Sequence, residues 1–111
     1  MIELRIYRTA PGRREDAVAS LRQIARTLFT RHRFRPVSFW QTEDGDDHAL
    51  VYTLEWASDA EREAGWKALY ADPLWAERMA AAKQQGPAIL EATSRILVPL
   101  DGMTADNECG T

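Results

Sequence analysis

Glu3, Arg5 and Tyr7 occupy alternate positions of the opening stretch Met1–Arg8, so an extended backbone points all three side chains the same way. A carboxylate, a guanidinium and a phenol on one face are minimal equipment for chemistry without a metal. Arg presents a planar fork suited to a carboxylate or an enolate, and Tyr can exchange a proton. Arg95 falls on a predicted strand next to the first, and two guanidiniums, Arg5 and Arg95, could clamp such an oxyanion. The plain structural alternative has equal weight: Arg5 pairs with Glu3 or Glu91 and only stabilises the fold, because charges are seldom buried unless paired or functional. Tyr7, Trp40, Tyr52 and Trp56 could wall a flat ligand, although aromatics at strand spacing also serve as ordinary core. Arg5 and Tyr7 are the catalytic candidates. Glu3, Arg5, Tyr7, Trp40, Tyr52 and Arg95 are the ligand-binding ones.

Other chemistries find less support. His32 continues the apolar stripe of the first predicted helix near its end, where a capping or interfacial role is simpler than catalysis. His48 adjoins an acidic turn and is expected at the surface. No His or Cys pair has metal-ligand spacing, so no metal is expected. Asp44, Asp46 and Asp47 lack the length and terminal Glu of a calcium loop. There is no Gly-rich phosphate loop, nucleophile elbow or Cys-His pair, and no cofactor is implied. Residues 1–35 hold nine Arg against three acidic residues, a balance of +6, whereas the remainder carries −9. Such asymmetry can mark an anion site, but a solvated helix side with cations near its C-terminus explains most of it. With an acidic total and no aromatic-basic RNA motif, nucleic acid is not an expected partner.

These side chains need elements to position them. The alternation of Ile2, Leu4 and Ile6 with Glu3, Arg5 and Tyr7 predicts a half-buried strand, and its polar set suggests an enclosed polar face, for which a small-ligand chamber is one reason. Ala10-Pro11-Gly12 turns the chain. A helix follows from about Arg13 to His32, with Ala17, Val18, Leu21, Ile24, Ala25, Leu28 and Phe29 in one stripe. Pro36 admits strand two, Val37–Thr42. An Asp44-Gly45 hairpin turn leads to strand three, His48–Trp56. Ser58 and Glu61 form a capping box for the next helix, which runs to about Tyr70. Asp72-Pro73 starts another, about Leu74–Gln85, and Gly86-Pro87 stops it. Strand four is Ile89–Val98. Residues 1–99 read as one domain, and 100–111 as a tail too poor in apolar residues to order itself. The lone Cys109 excludes an internal disulfide, and with no signal segment or span of ~20 apolar residues a cytoplasmic, membrane-free setting is expected.

The order β-α-β-β-α-β is the ferredoxin-like, α+β arrangement: a four-stranded antiparallel sheet with helices on one face. Strand three is apolar on both faces, with Leu50, Tyr52, Leu54 and Trp56 against Ala49, Val51 and Thr53. A strand of this kind expects cover on both sides. The helices supply one cover and a second copy of the sheet can supply the other, so a homodimer is predicted.

Several motifs now resemble one family. Glu3-Leu4-Arg5-x-Tyr7 with Pro11-Gly12 is similar to the opening of NIPSNAP proteins. So are Trp40 at a strand end, Trp56-x-Ser58-x-x-Glu61-Arg62, Ala71-Asp72-Pro73-x-Trp75 and Glu91-x-x-Ser94-Arg95. The resemblance spans 1–99 and implies a dimeric α+β barrel in which two ferredoxin-like sheets face each other. The wider superfamily includes cofactor-free monooxygenases, small isomerases, decarboxylases and haem proteins. Tyr52 and Leu54 stand where the resemblance would put His and Trp. Two readings follow. One is a small-metabolite chamber acting on an anionic or aromatic ligand, as a monooxygenase, isomerase or cyclase would. The other is a non-catalytic dimeric module. A chamber of at least ~300 Å³ would favour the first, and a filled barrel the second.

Overall fold

The element order read from the sequence is the one adopted in the computed structural model, which describes residues 1–43 and 48–102. Strand β1 (Ile2–Thr9) leads to helix α1 (Arg14–Ile24) and a π-helical turn (Ala25–Phe29). Strands β2 (Arg35–Gln41) and β3 (Ala49–Glu55), helices α2 (Asp59–Tyr70) and α3 (Pro73–Gln85), and strand β4 (Ile89–Leu97) follow. The strands form one antiparallel sheet in the order β2-β3-β1-β4. The expected Asp-Gly turn and the tail beyond Gly102, with Cys109, lie outside the described residues.

Register decides which side chains share a face. Glu3, Arg5 and Tyr7 stand opposite Leu54, Tyr52 and Leu50 on β3, and opposite Ile96, Ser94 and Ala92 on β4. This face meets the helices: Tyr7, Leu50, Tyr52, Leu54 and Trp56 pack with Leu21, Leu28, Phe29, Trp66 and Leu69 in one core. The polar half of β1 is therefore the inward half. Ile2, Leu4 and Ile6 point to the other face, where their β3 partners are Glu55, Thr53 and Val51 and no helix lies over them.

Two elements depart from the simple reading. The first helix is not uniform, because a π-helical turn occupies Ala25–Phe29. Its wider turn lets the adjacent residues Leu28 and Phe29 both reach full burial. The Thr27 and Thr30 hydroxyls donate back to the carbonyls of Gln23 and Ala25, at 2.7 and 3.2 Å, a contact known to loosen helical pairing. Strand β2 begins at Arg35 and includes Pro36, which the sequence reading placed before it. The register shifts between Pro36 and Ser38 at the sheet edge, where a missing N–H is tolerated.

Capping follows the sequence signals. Ser58 Oγ accepts from the Glu61 N–H at 3.1 Å, and Glu61 reaches back to the Ala57 N–H at 3.1 Å. Asp72 caps α3 by accepting from the Leu74 N–H at 2.9 Å, with Pro73 in the first turn. His32 Nε2 lies 2.8 Å from the Asp72 carboxylate and Arg31 lies 3.0 Å from it, so this histidine fastens the first helix to the start of α3. The Leu74 N–H first, then His32 and Arg31, hold the Asp72 carboxyl down at about 2. Within α2, Gly65 is required by packing. A Cβ there would stand 2.9 Å from the Trp56 indole. Among the described residues no helix is long and apolar enough to cross a membrane.

Candidate functional site

Glu3 is the hub of the inward face. It is completely buried, and the polar groups around it are donors. Trp56 Nε1 donates at 3.0 Å, Trp66 Nε1 at 2.8 Å and Ser94 Oγ at 2.5 Å. The guanidiniums of Arg5 and Arg62 stand 3.7 and 4.0 Å away. A buried carboxylate is tolerable only with such compensation. The hub draws on β1, Trp56 just past β3, α2 and β4, so it fixes how α2 sits on the sheet.

Arg5 lies one step further along the same face. Its guanidinium is 4.3 Å from the centre of the Trp66 ring and 5.7 Å from that of Tyr7, a cation–π arrangement that favours its charge when water is excluded. Burial opposes that charge, but the neighbouring Tyr7 and Tyr52 oxygens outweigh it and raise the Arg5 pKa. Its Nε–H is buried with no hydrogen-bond partner. The Tyr7 and Tyr52 hydroxyls are 2.7 Å apart with their rings edge to face. Burial above all, and Tyr7 next, push the Tyr52 phenol above its ordinary value, against the opposing effect of Arg5. Tyr52 therefore keeps its proton at neutral pH and can donate it to Tyr7.

A chamber of about 750 Å³ opens beside this pair. Its polar end is Arg5 and Tyr7 on the sheet. Its apolar wall comes from Ile24 on α1, Leu74, Trp75 and Met79 on α3, and Ile89 on β4. The chamber exists because α3 stands off the β1–β4 side of the sheet. Ala92, Ser94 and Ile96, on the helix side of β4, remain exposed.

The predicted site residues divide. Arg5 and Tyr7 line the chamber, with Tyr52 directly behind Tyr7 and Glu3 bracing Arg5 from below. Arg95 does not join them. It stands opposite Leu4 on the other face of the sheet, because a one-residue step along a strand reverses the side chain; the expected clamp of Arg5 with Arg95 is not formed. Trp40 pairs with Val51 on that same outer face and is 67% exposed, so it is not part of an aromatic wall with Tyr7 and Tyr52. Of the two alternatives for Arg5, the structure shows the Glu3 contact, at a length beyond a hydrogen bond, while Glu91 pairs with Arg8 at 3.3 Å. His48 is exposed, its Nδ1 3.2 Å from Arg14.

Sequence reasoning missed Trp66, Ser94, Arg13 and Arg78. Ser94 was recoverable, since it shares the period-two face of β4 with Ala92. Trp66 and Arg78 come from helix faces whose relation to β1 no local pattern encodes. No group of three or more His, Cys, Asp and Glu among the described residues could hold a metal ion.

A family model described as NIPSNAP matches residues 2–102. Among solved structures, a NIPSNAP family protein from Agrobacterium tumefaciens is similar at a TM-score of 0.77 and 20% identity, covering 94% of this chain and 96% of that one. A NIPSNAP-like domain protein from Burkholderia xenovorans has the same TM-score at 19% identity, covering 93% and 87%. A candidate antibiotic biosynthesis monooxygenase from Chloroflexus aurantiacus gives a TM-score of 0.51 at 21% identity, covering 94% and 100%. At these identities the likeness is one of fold. No curated protein matches the chain at a significant level.

Proposed function

Since the chain belongs to the NIPSNAP family, we propose that it is a homodimeric small-molecule-binding protein whose ligand, an anionic or aromatic metabolite, occupies the chamber between α1, α3 and the sheet. The observation that carries this reading is the chamber. Its volume of about 750 Å³ lies within the range of small-ligand pockets, above their ~300 Å³ lower bound. The space between α3 and the β1–β4 side of the sheet is not filled by side chains, as it would be in a purely structural module.

In this reading Arg5 receives a carboxylate, enolate or phenolate oxygen, held ready by Trp66 and Glu3. Tyr7 exchanges a proton with the bound molecule, and its hydrogen bond to the Tyr52 hydroxyl orients it for that exchange. That equipment suits oxygenation by an activated substrate, isomerisation or cyclisation, and equally suits binding without turnover. The dimer accounts for the other face of the sheet, where Ile2, Leu4, Ile6 and Val51 form an apolar strip over which no described helix lies. A second copy laid face to face would cover it with closed symmetry.

Native mass spectrometry of freshly purified protein tests both parts. The expected species is a dimer carrying a non-protein component of metabolite size. A bare chain, together with no change in Tm across a panel of aromatic carboxylates and phenolates, would overturn the proposal.

A further inference from the structure

Three arginines line the chamber: Arg5, Arg13 and Arg78. Arg13 is committed to structure. It holds Asp16 at 2.6 Å and the carbonyls of Gln85 and Gly86 at 3.5 and 3.2 Å, tying the end of α3 to the start of α1. Arg78, on α3, is different. Among the described residues it has no ion-pair or hydrogen-bond partner, and its Nε–H is buried. Arg5 stands 3.7 Å from the Glu3 carboxylate, but its Nε–H too is buried without a partner. Buried donors without partners are rare and call for an explanation, and here two occur around one cavity.

The acidic residues on the same wall do not supply the missing partner. Asp16 is taken by Arg13 and Glu91 by Arg8. Glu77 is exposed, where solvent and salt screen its field. The chamber is therefore positive: Arg78 on the helical roof has no counter-charge among the described residues, and Arg5 on the sheet floor shares the single Glu3 carboxylate with Arg62, at 3.7 and 4.0 Å. Leu74, Trp75 and Ile89 give the same chamber an apolar wall.

Resting on the chamber reading above, we propose that Arg78 is a specificity-determining residue, and that together with Arg5 it selects an organic monocarboxylate with a flat apolar body. The guanidinium fork recognises the carboxylate, and the apolar wall takes the rest of the molecule. Arg78 thus fills the second position of the two-arginine clamp that Arg95 cannot reach.

A charge-matched pair of probes, 2-naphthoate and its neutral amide 2-naphthamide, tests this by isothermal titration against the wild type and Arg78→Met. The wild type should prefer the carboxylate by about tenfold or more, the scale of a charge-assisted hydrogen bond. Arg78→Met should abolish that preference while leaving the amide affinity and the urea midpoint near wild type. Arg78→Lys should recover only part of it, because a point charge replaces the fork. Equal binding of the two probes by the wild type would overturn the anion inference and leave the chamber reading standing. An unchanged preference in a folded Arg78→Met would remove Arg78 from the site. No binding of either probe at millimolar concentration would overturn this inference and the chamber reading together.

Discussion

The two faces of β1 make opposite use of their residues. The inward face carries Glu3, Arg5 and Tyr7, and each is tied to groups from other elements. The outward face carries Ile2, Leu4 and Ile6, and among the described residues no helix covers them. The usual assignment, apolar in and polar out, is inverted. The inversion is stable because the inward set is almost completely paired, and low dielectric rewards a satisfied polar network while it penalises an incomplete one. It also separates two roles. In the proposed function the inner face receives the ligand and the outer face a second copy.

That contrast predicts different failures on the two faces. The largest effect belongs to Glu3. Glu3→Ala strands two indole N–H groups and leaves Arg5 without its nearby carboxylate, so urea unfolding should show a loss of about 3–5 kcal/mol. Leu4→Ala, one residue along, strands no polar group and should act mainly through association. A smaller effect is expected at Gly65. Alanine there would ordinarily stabilise a helix by about 1 kcal/mol, but its Cβ would meet the Trp56 indole at 2.9 Å. Thermal and urea unfolding of Gly65→Ala should report a net loss of about 1–3 kcal/mol, and a gain would mean that the indole can move aside.

The smallest effect is confined to acid. Asp72 caps α3, the roof of the inner chamber, with its pKa lowered from 3.8 to about 2. Its contribution is thus present above about pH 4 and is lost as pH falls through about 2. Asp72→Asn keeps the cap, and its Tm against pH should run flatter than the wild type between pH 4 and 2. Parallel curves would show that the carboxylate gains nothing from Leu74, His32 and Arg31.

Much of this organisation was legible from the residues. The period-two pattern of β1, the capping signals at Ser58 and Asp72, and the two-sided apolarity of β3 each rest on local rules, and each reappears in the fold. Local rules say which residues share a face. They do not say which of two faces meets the helices: the polar set of β1 suggested an enclosed face, but not that the helices enclose it. The partnership of Arg5 with Arg95 failed for a related reason. Adjacency of two strands does not set their register, and one step of register exchanges the faces. Trp66 and Arg78 were illegible because their relation to β1 depends on the docking angles of α2 and α3. The π-helical turn was hidden because Leu28 and Phe29 fit an ordinary apolar stripe equally well.

The division of labour between the faces is tested most directly by light scattering of the wild type and Leu4→Glu at micromolar concentration. The account predicts twice the chain mass for the wild type and a single-chain mass for a variant whose near-ultraviolet circular dichroism stays native. A charge on the outer face would then have parted the copies without disturbing the inner network. A wild type that scatters as one chain, or a Leu4→Glu variant that remains a dimer, would contradict it.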